Sequence, residues 1–228
     1  MEAKIGKSYL TEIPHEGGKL TFQYPAFKGY YGNVAELIDK DNLKRPNSSE
    51  TASLVYDAFK TPDGKYESEI IKILNDAWLW EFTGNLYIPK SNDEINNGVI
   101  IEQNPKILSG KLAMDKNNLI KRLKENDSSV KFVPFGFKTG SQDLIELQKN
   151  PYIVARYGKE GAEKIAEIAS KYKSNPYVNS FNFVDEEKAR MSALGRDWYS
   201  DDRLCVGGYV WYDGGGHAFG VSALEKDE

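Results

Sequence analysis

The sequence predicts an α+β protein in which about six helices pack against an antiparallel sheet that ends in a C-terminal meander or hairpin. Three observations lead there. Of 228 residues, 40 % are hydrophobic, enough for a sizeable core without staples. The first three quarters mix capped helical periodicities with short extended runs. The last quarter is extended, with short polar loops between runs, and sequential strands joined in this way pair antiparallel.

Residues 19–24 alternate as a strand, with Leu20, Phe22 and Tyr24 on one face, and the turn at His15-Glu16-Gly17-Gly18 pairs them with residues 8–13. Asn33 with Glu36 and Asn47 with Glu50 have the spacing of capping arrangements, predicting helices to Ile38 and over 51–59. Thr61-Pro62-Asp63-Gly64 forms a turn that releases the longest periodic segment, a helix over 66–82 carrying Ile70, Leu74, Trp78, Trp80 and Phe82.

Strands follow at 86–89, 98–103 and 131–135, the last placed at an edge or a strand end by Pro134. Between them Asp115 caps a helix over 116–125. Further helices span 142–149, 151–157 with Asn150 as cap and Gly158 as terminator, and 160–172. Strands at 178–183, 190–194, 204–211 and 218–224 complete the chain, the last two pairing across Asp213-Gly214-Gly215-Gly216. Residues 1–228 read as a single domain, with a weak subdivision near 104–105.

Composition narrows the function. A formal charge of −4 and a pI near 5.4 disfavour a nucleic-acid binder, although residues 106–138 are basic, with Lys116, Lys121, Arg122 and Lys124 on one helix. No apolar run is long enough to span a membrane, the first residues lack a signal-peptide core, and the lone Cys205 requires no oxidising compartment, so a cytoplasmic protein is expected. Nothing in the sequence requires a cofactor.

The end of the chain concentrates chemistry-bearing residues. Asp201, Asp202 and Asp213 suit a hard cation, and His217 titrates near neutrality, so these four residues predict a cation-assisted hydrolase or transferase with His217 and Asp213 as acid–base candidates. Aspartate and glycine are equally the residues of hairpin turns, and the stretch lacks the alternating ligands of a calcium loop. Cys205 and His217 would stand far apart along a ladder joined at the glycine turn, which disfavours a nucleophile–base dyad and leaves Cys205 as a small core residue.

The remaining signal is aromatic. Trp198, Tyr199, Tyr209, Trp211 and Tyr212 offer rings with polar tips, which suit recognition surfaces. The leading expectation is therefore a non-enzymatic binding or assembly module that meets a protein partner or a second copy through an aromatic and acidic C-terminal sheet.

Overall fold

The computed structural model describes residues 8–197, 202–210 and 214–226. In chain order the elements are β1 (Ser8–His15), β2 (Gly18–Tyr24), β3 (Phe27–Tyr30), α1 (Tyr31–Lys40), α2 (Ser48–Ala58), α3 (Glu67–Asp76) and β4 (Trp78–Ile88). The middle of the chain adds β5 (Gly98–Gln103), β6 (Ile107–Leu108), β7 (Lys111–Leu112), α4 (Lys116–Lys124), β8 (Val130–Pro134), β9 (Gly140–Ser141), α5 (Leu144–Lys149) and α6 (Pro151–Ala169). The last part holds β10 (Tyr177–Asn179), β11 (Lys188–Arg196), β12 (Leu204–Val210), β13 (Gly215–Ala218) and β14 (Val221–Lys226). The α+β architecture with a mostly antiparallel sheet and six helices is as the sequence predicts.

The helix starts follow from local chemistry. Asn47 and Asp143 close reciprocal capping boxes with Glu50 and Glu146, Asp115 caps α4, and Asn150 caps α6 with proline at its first position. Gly158 adopts φ 71°, which kinks α6 where the sequence places a terminator between two helices.

The main sheet has nine strands, in the order β3-β13-β4-β11-β12-β10-β9, with β5 and then β8 added on the second half of β4. β4 is its spine. One edge of β4 pairs with β11; the other pairs in parallel with β13 at Trp78 and Leu79 and antiparallel with β5 from Thr83 to Ile88. A separate sheet, β1-β2-β14, joins the two ends of the chain.

Two expectations are corrected. The helix expected over 66–82 stops at Asp76, because Ala77 is extended and residues from Trp78 onward form β4. Both faces of β4 are covered: Leu79 and Tyr87 join one core with Leu194 and Tyr157, while Trp80 and Phe82 join another with Tyr31, Val34 and Ile38. A strand buried on both faces loses the apolar–polar alternation that would reveal it.

The pairing of 204–211 with 218–224 across the glycine turn is also absent. β12 pairs with β11 and β10, β13 lies between β3 and β4, and β14 leaves for the terminal sheet. The antiparallel C-terminal hairpin is instead β11–β12. The slot beside the first half of β4 captures β13, and the break at Phe219-Gly220 frees β14 to pair with β2.

Inside the layers, α6 is fastened to the sheet by a buried ion pair. Arg156 and Glu81, both 0 % exposed, meet through Nη2 and Oε2. Arg156 also donates to the Gly207 carbonyl at 3.0 Å and to the Tyr157 hydroxyl at 3.2 Å, and Tyr157 donates to Glu81 at 2.8 Å. The Tyr152 hydroxyl continues the network to Asn85 at 2.9 Å, and Asn85 reaches Ser192 at 2.8 Å. Burial pushes the Glu81 carboxyl up, against the pull of Arg156 and Tyr157.

Removing one partner strands a buried charge. Glu81→Ala should therefore cost about 3 to 5 kcal/mol in urea denaturation, whereas Glu81→Leu combined with Arg156→Met should recover most of that loss. Equal losses in the single and double variants would show that the charges are not the source of the cost.

Candidate functional site

Of the residues expected to carry chemistry, Trp198, Tyr199, Asp201, Trp211, Tyr212 and Asp213 lie outside the described residues. Asp202, Cys205, Tyr209 and His217 are placed, on three different environments. Asp202 is engaged: its carboxylate meets Arg196 Nε at 3.2 Å and its carbonyl accepts from Ser174 N at 2.9 Å. Beside it Arg203 donates twice to Asp197, at 2.8 and 2.7 Å, so two ion pairs clamp the base of the β11–β12 connection.

His217 lies on β13, and β4 and β11 separate it from β12. Three inter-strand steps of about 4.8 Å put β13 roughly 14 Å from β12, so the fold does not bring His217 to Asp202 or Cys205. Cys205 is buried, and its thiol is pushed up to about 12 by that burial, with Asp197 adding to it. Among the described residues no group of three His, Cys, Asp or Glu side chains could hold a metal.

The surroundings of His217 are set by Trp80. The indole of Trp80 crosses over Gly216 and donates from Nε1 to the Gly29 carbonyl at 3.1 Å, tying β4 to β3 over the strand between them. A Cβ on Gly216 would stand 2.6 Å from the indole and 2.7 Å from the Trp78 carbonyl oxygen, whereas one on Gly215 would meet nothing within 4 Å. The glycine run is thus a packing requirement at one position. His217 is half-buried, its imidazole lowered by desolvation and by Lys28, and its Nδ1 is buried without a partner among the described residues.

Tyr209 sits in a row of rings. It stacks on Phe181 with centroids 4.7 Å apart; Phe181 meets Tyr87 edge-on at 5.0 Å, and Tyr87 stacks on Phe135 at 6.4 Å. Arg190 and Lys188 lie 5.8 and 6.0 Å from the Phe181 ring. Phe183, two residues on, is 65 % exposed. Phe135 and Phe137 carry the row into an open hollow of about 580 Å³ lined also by Pro134, Lys138 and Glu146. Phe135, Phe181 and Phe183 carry no sequence motif, and only folding onto Tyr209 and Tyr87 unites them.

The fold also assembles a group that is scattered in sequence. Ser53 Oγ lies 2.9 Å from His15 Nδ1 and 2.9 Å from Lys164 Nζ, which donates further to the Pro14 carbonyl at 3.0 Å and pairs with Glu160 at 2.6 Å. An ammonium can only donate, so Ser53 accepts from Lys164, while the direction of its bond to His15 Nδ1 is set by the imidazole tautomer. With Ser53 1 % exposed, the group is a clamp joining β1, α2 and α6.

The basic helix α4 is electrically occupied. Lys116 pairs with Asp93 and Glu187, Lys121 with Glu125, Arg122 with Glu102 and Asp127, and Lys124 with Glu94.

Set beside solved structures, this architecture falls with the C-type lectin fold. The match is a structure described as “Accommodation of massive sequence variation in Nanoarchaeota by the C-type lectin fold”. The two chains are 14 % identical with a TM-score of 0.57, over 86 % of this chain and 97 % of the other. At that identity the likeness is one of fold. No protein-family model and no curated protein matches the sequence.

Two measurements test these placements. Gly216→Ala should cost about 1 to 3 kcal/mol by overpacking against the indole, while Gly215→Ala stays within about 0.5 kcal/mol; equal effects would refute the indole crossing. Desolvation lowers the His15 imidazole below its ordinary 6.5, with Glu16, Glu50 and Glu160 opposing and Lys164 assisting. The unfolded chain therefore binds the extra proton first, and melting temperature should fall as pH drops below 6.5. In His15→Gln, which accepts from Ser53 but takes no proton, that slope should shrink to the share of His217; an unchanged slope would remove His15 from the account.

Proposed function

We propose that this chain is a non-enzymatic binding or assembly module acting as one domain, whose contact face is the aromatic surface around Tyr209. The observation that carries the reading is the row Tyr209, Phe181 and Phe135 with Arg190 and Lys188 beside Phe181 and with Phe183 65 % exposed. Aromatic rings and arginine dominate binding hot spots, because they bring large apolar area together with directional polar contacts. Trp198, Tyr199, Trp211 and Tyr212, which lie outside the described residues, belong to the contact set in this reading. The partner is a protein or a second copy of the chain, met inside the cell.

The fold likeness supports a binding role of this form. The Nanoarchaeota structure is described as accommodating massive sequence variation. Here the ion pairs Asp197–Arg203 and Arg196–Asp202 tie the end of β11 to the start of β12, a fixed point of the frame beside the proposed face.

Native mass spectrometry of the chain purified from its own cells tests the proposal. A bound protein or second copy should be retained, and should be lost in Phe183→Ser and Tyr209→Ser variants that keep the parental melting temperature. A bare monomer, or a complex indifferent to both substitutions, would overturn it.

A further inference from the structure

A second surface lies on a different part of the sheet. α3 packs over β4 and β11 and leaves the face of β13 and β3 uncovered beside it, which opens a cleft of about 900 Å³. Its floor is Gly29, Gly215 and Gly216 together with Ile73 and Ala77, so a bound molecule meets main chain and a small apolar patch directly. The volume is that of a small-molecule site.

Three ammonium groups converge on this cleft. Lys28 stands directly opposite His217 in the β3–β13 pair, so their side chains share one face. Lys72 lies on α3, and Lys65 lies in the turn just ahead of that helix. Lys28 and Lys72 have no ion pair among the described residues, and the Lys65 ammonium rests 5.2 Å from the Tyr66 ring. This is the reverse of α4, where every cation meets a carboxylate. Of the two carboxylates in the lining, Glu69 accepts from the Tyr24 hydroxyl and keeps its charge, so Glu69 and Asp76 stand against three lysines and the cleft retains a cationic excess.

His217 lines the cleft opposite Lys28 as a half-buried imidazole.

We infer that this cleft binds a small organic polyanion, its carboxylate or phosphate groups held by Lys28, Lys65 and Lys72 beside the His217 imidazole. Anionic groups set several ångströms apart fit the spacing of the lysines, and the glycine floor admits the body of the molecule. The site is separate from the aromatic surface, and its failure would leave that reading untouched.

Isothermal titration calorimetry of the full chain at low salt, with tripolyphosphate in one arm and citrate in the other, tests the inference. At least one anion should bind with a Kd in the millimolar range or tighter, and the arm that responds identifies phosphate or carboxylate chemistry. Lys28→Glu and Lys72→Glu, both at exposed positions, should each weaken binding about tenfold. Lys131→Glu on β8 serves as the control and should change it little. No heat from either anion, or equal weakening by the control, would overturn the inference.

Discussion

The buried pair of Arg156 and Glu81 is the constraint around which the rest of the structure is arranged. A guanidinium and a carboxylate removed from water are tolerable only if nearly every hydrogen-bonding position around them is filled. The partners that fill them come from α2 through Ser48, from α6 through Tyr152 and Tyr157, and from β12 through the Gly207 carbonyl. Each element must arrive in register for the pair to be satisfied. The pair therefore specifies how helices and sheet meet, while the apolar residues around it supply the driving force for that meeting.

A frame fixed from within leaves its surface free. The clamp at Ser53 and the network at Arg156 are interior and draw on neither the aromatic row nor the lysine cleft, while the crossing of Trp80 over Gly216 fixes the glycine floor of that cleft from behind. Binding surfaces on such a frame can differ from protein to protein while the fold persists. This is consistent with a fold likeness at 14 % identity.

Legibility in the sequence followed the range of the forces involved. Caps at Asn47, Asp115 and Asn150, the turn before β2 and the helical runs that make up α6 are settled by neighbours a few residues away, and these were readable, whereas α1 starts at Tyr31 without the Asn33 cap the sequence suggests. β4 was not, because burial of both faces erased its alternation. The insertion of β13 was hidden because pairing partners 185 and 138 residues away, Tyr30 from Gly215 and Leu79 from His217, leave no local trace apart from small residues. The site suffered the same limit: Tyr209 and His217 stood out by type, but their working neighbours Phe181, Phe135 and Lys28 are joined to them only by the fold.

The terminal sheet and β13 carry a consequence for how the molecule comes to exist. β3 and β4 are kept apart until Gly215–Ala218 slides between them, and β2 gains its second neighbour only when Val221–Lys226 arrives. Without Gly215–Lys226 the rest of the fold has an open slot in one sheet and an open edge in the other. A chain in which Gly215–Lys226 has not docked is left unsealed at two places and exposed to proteolysis and strand exchange.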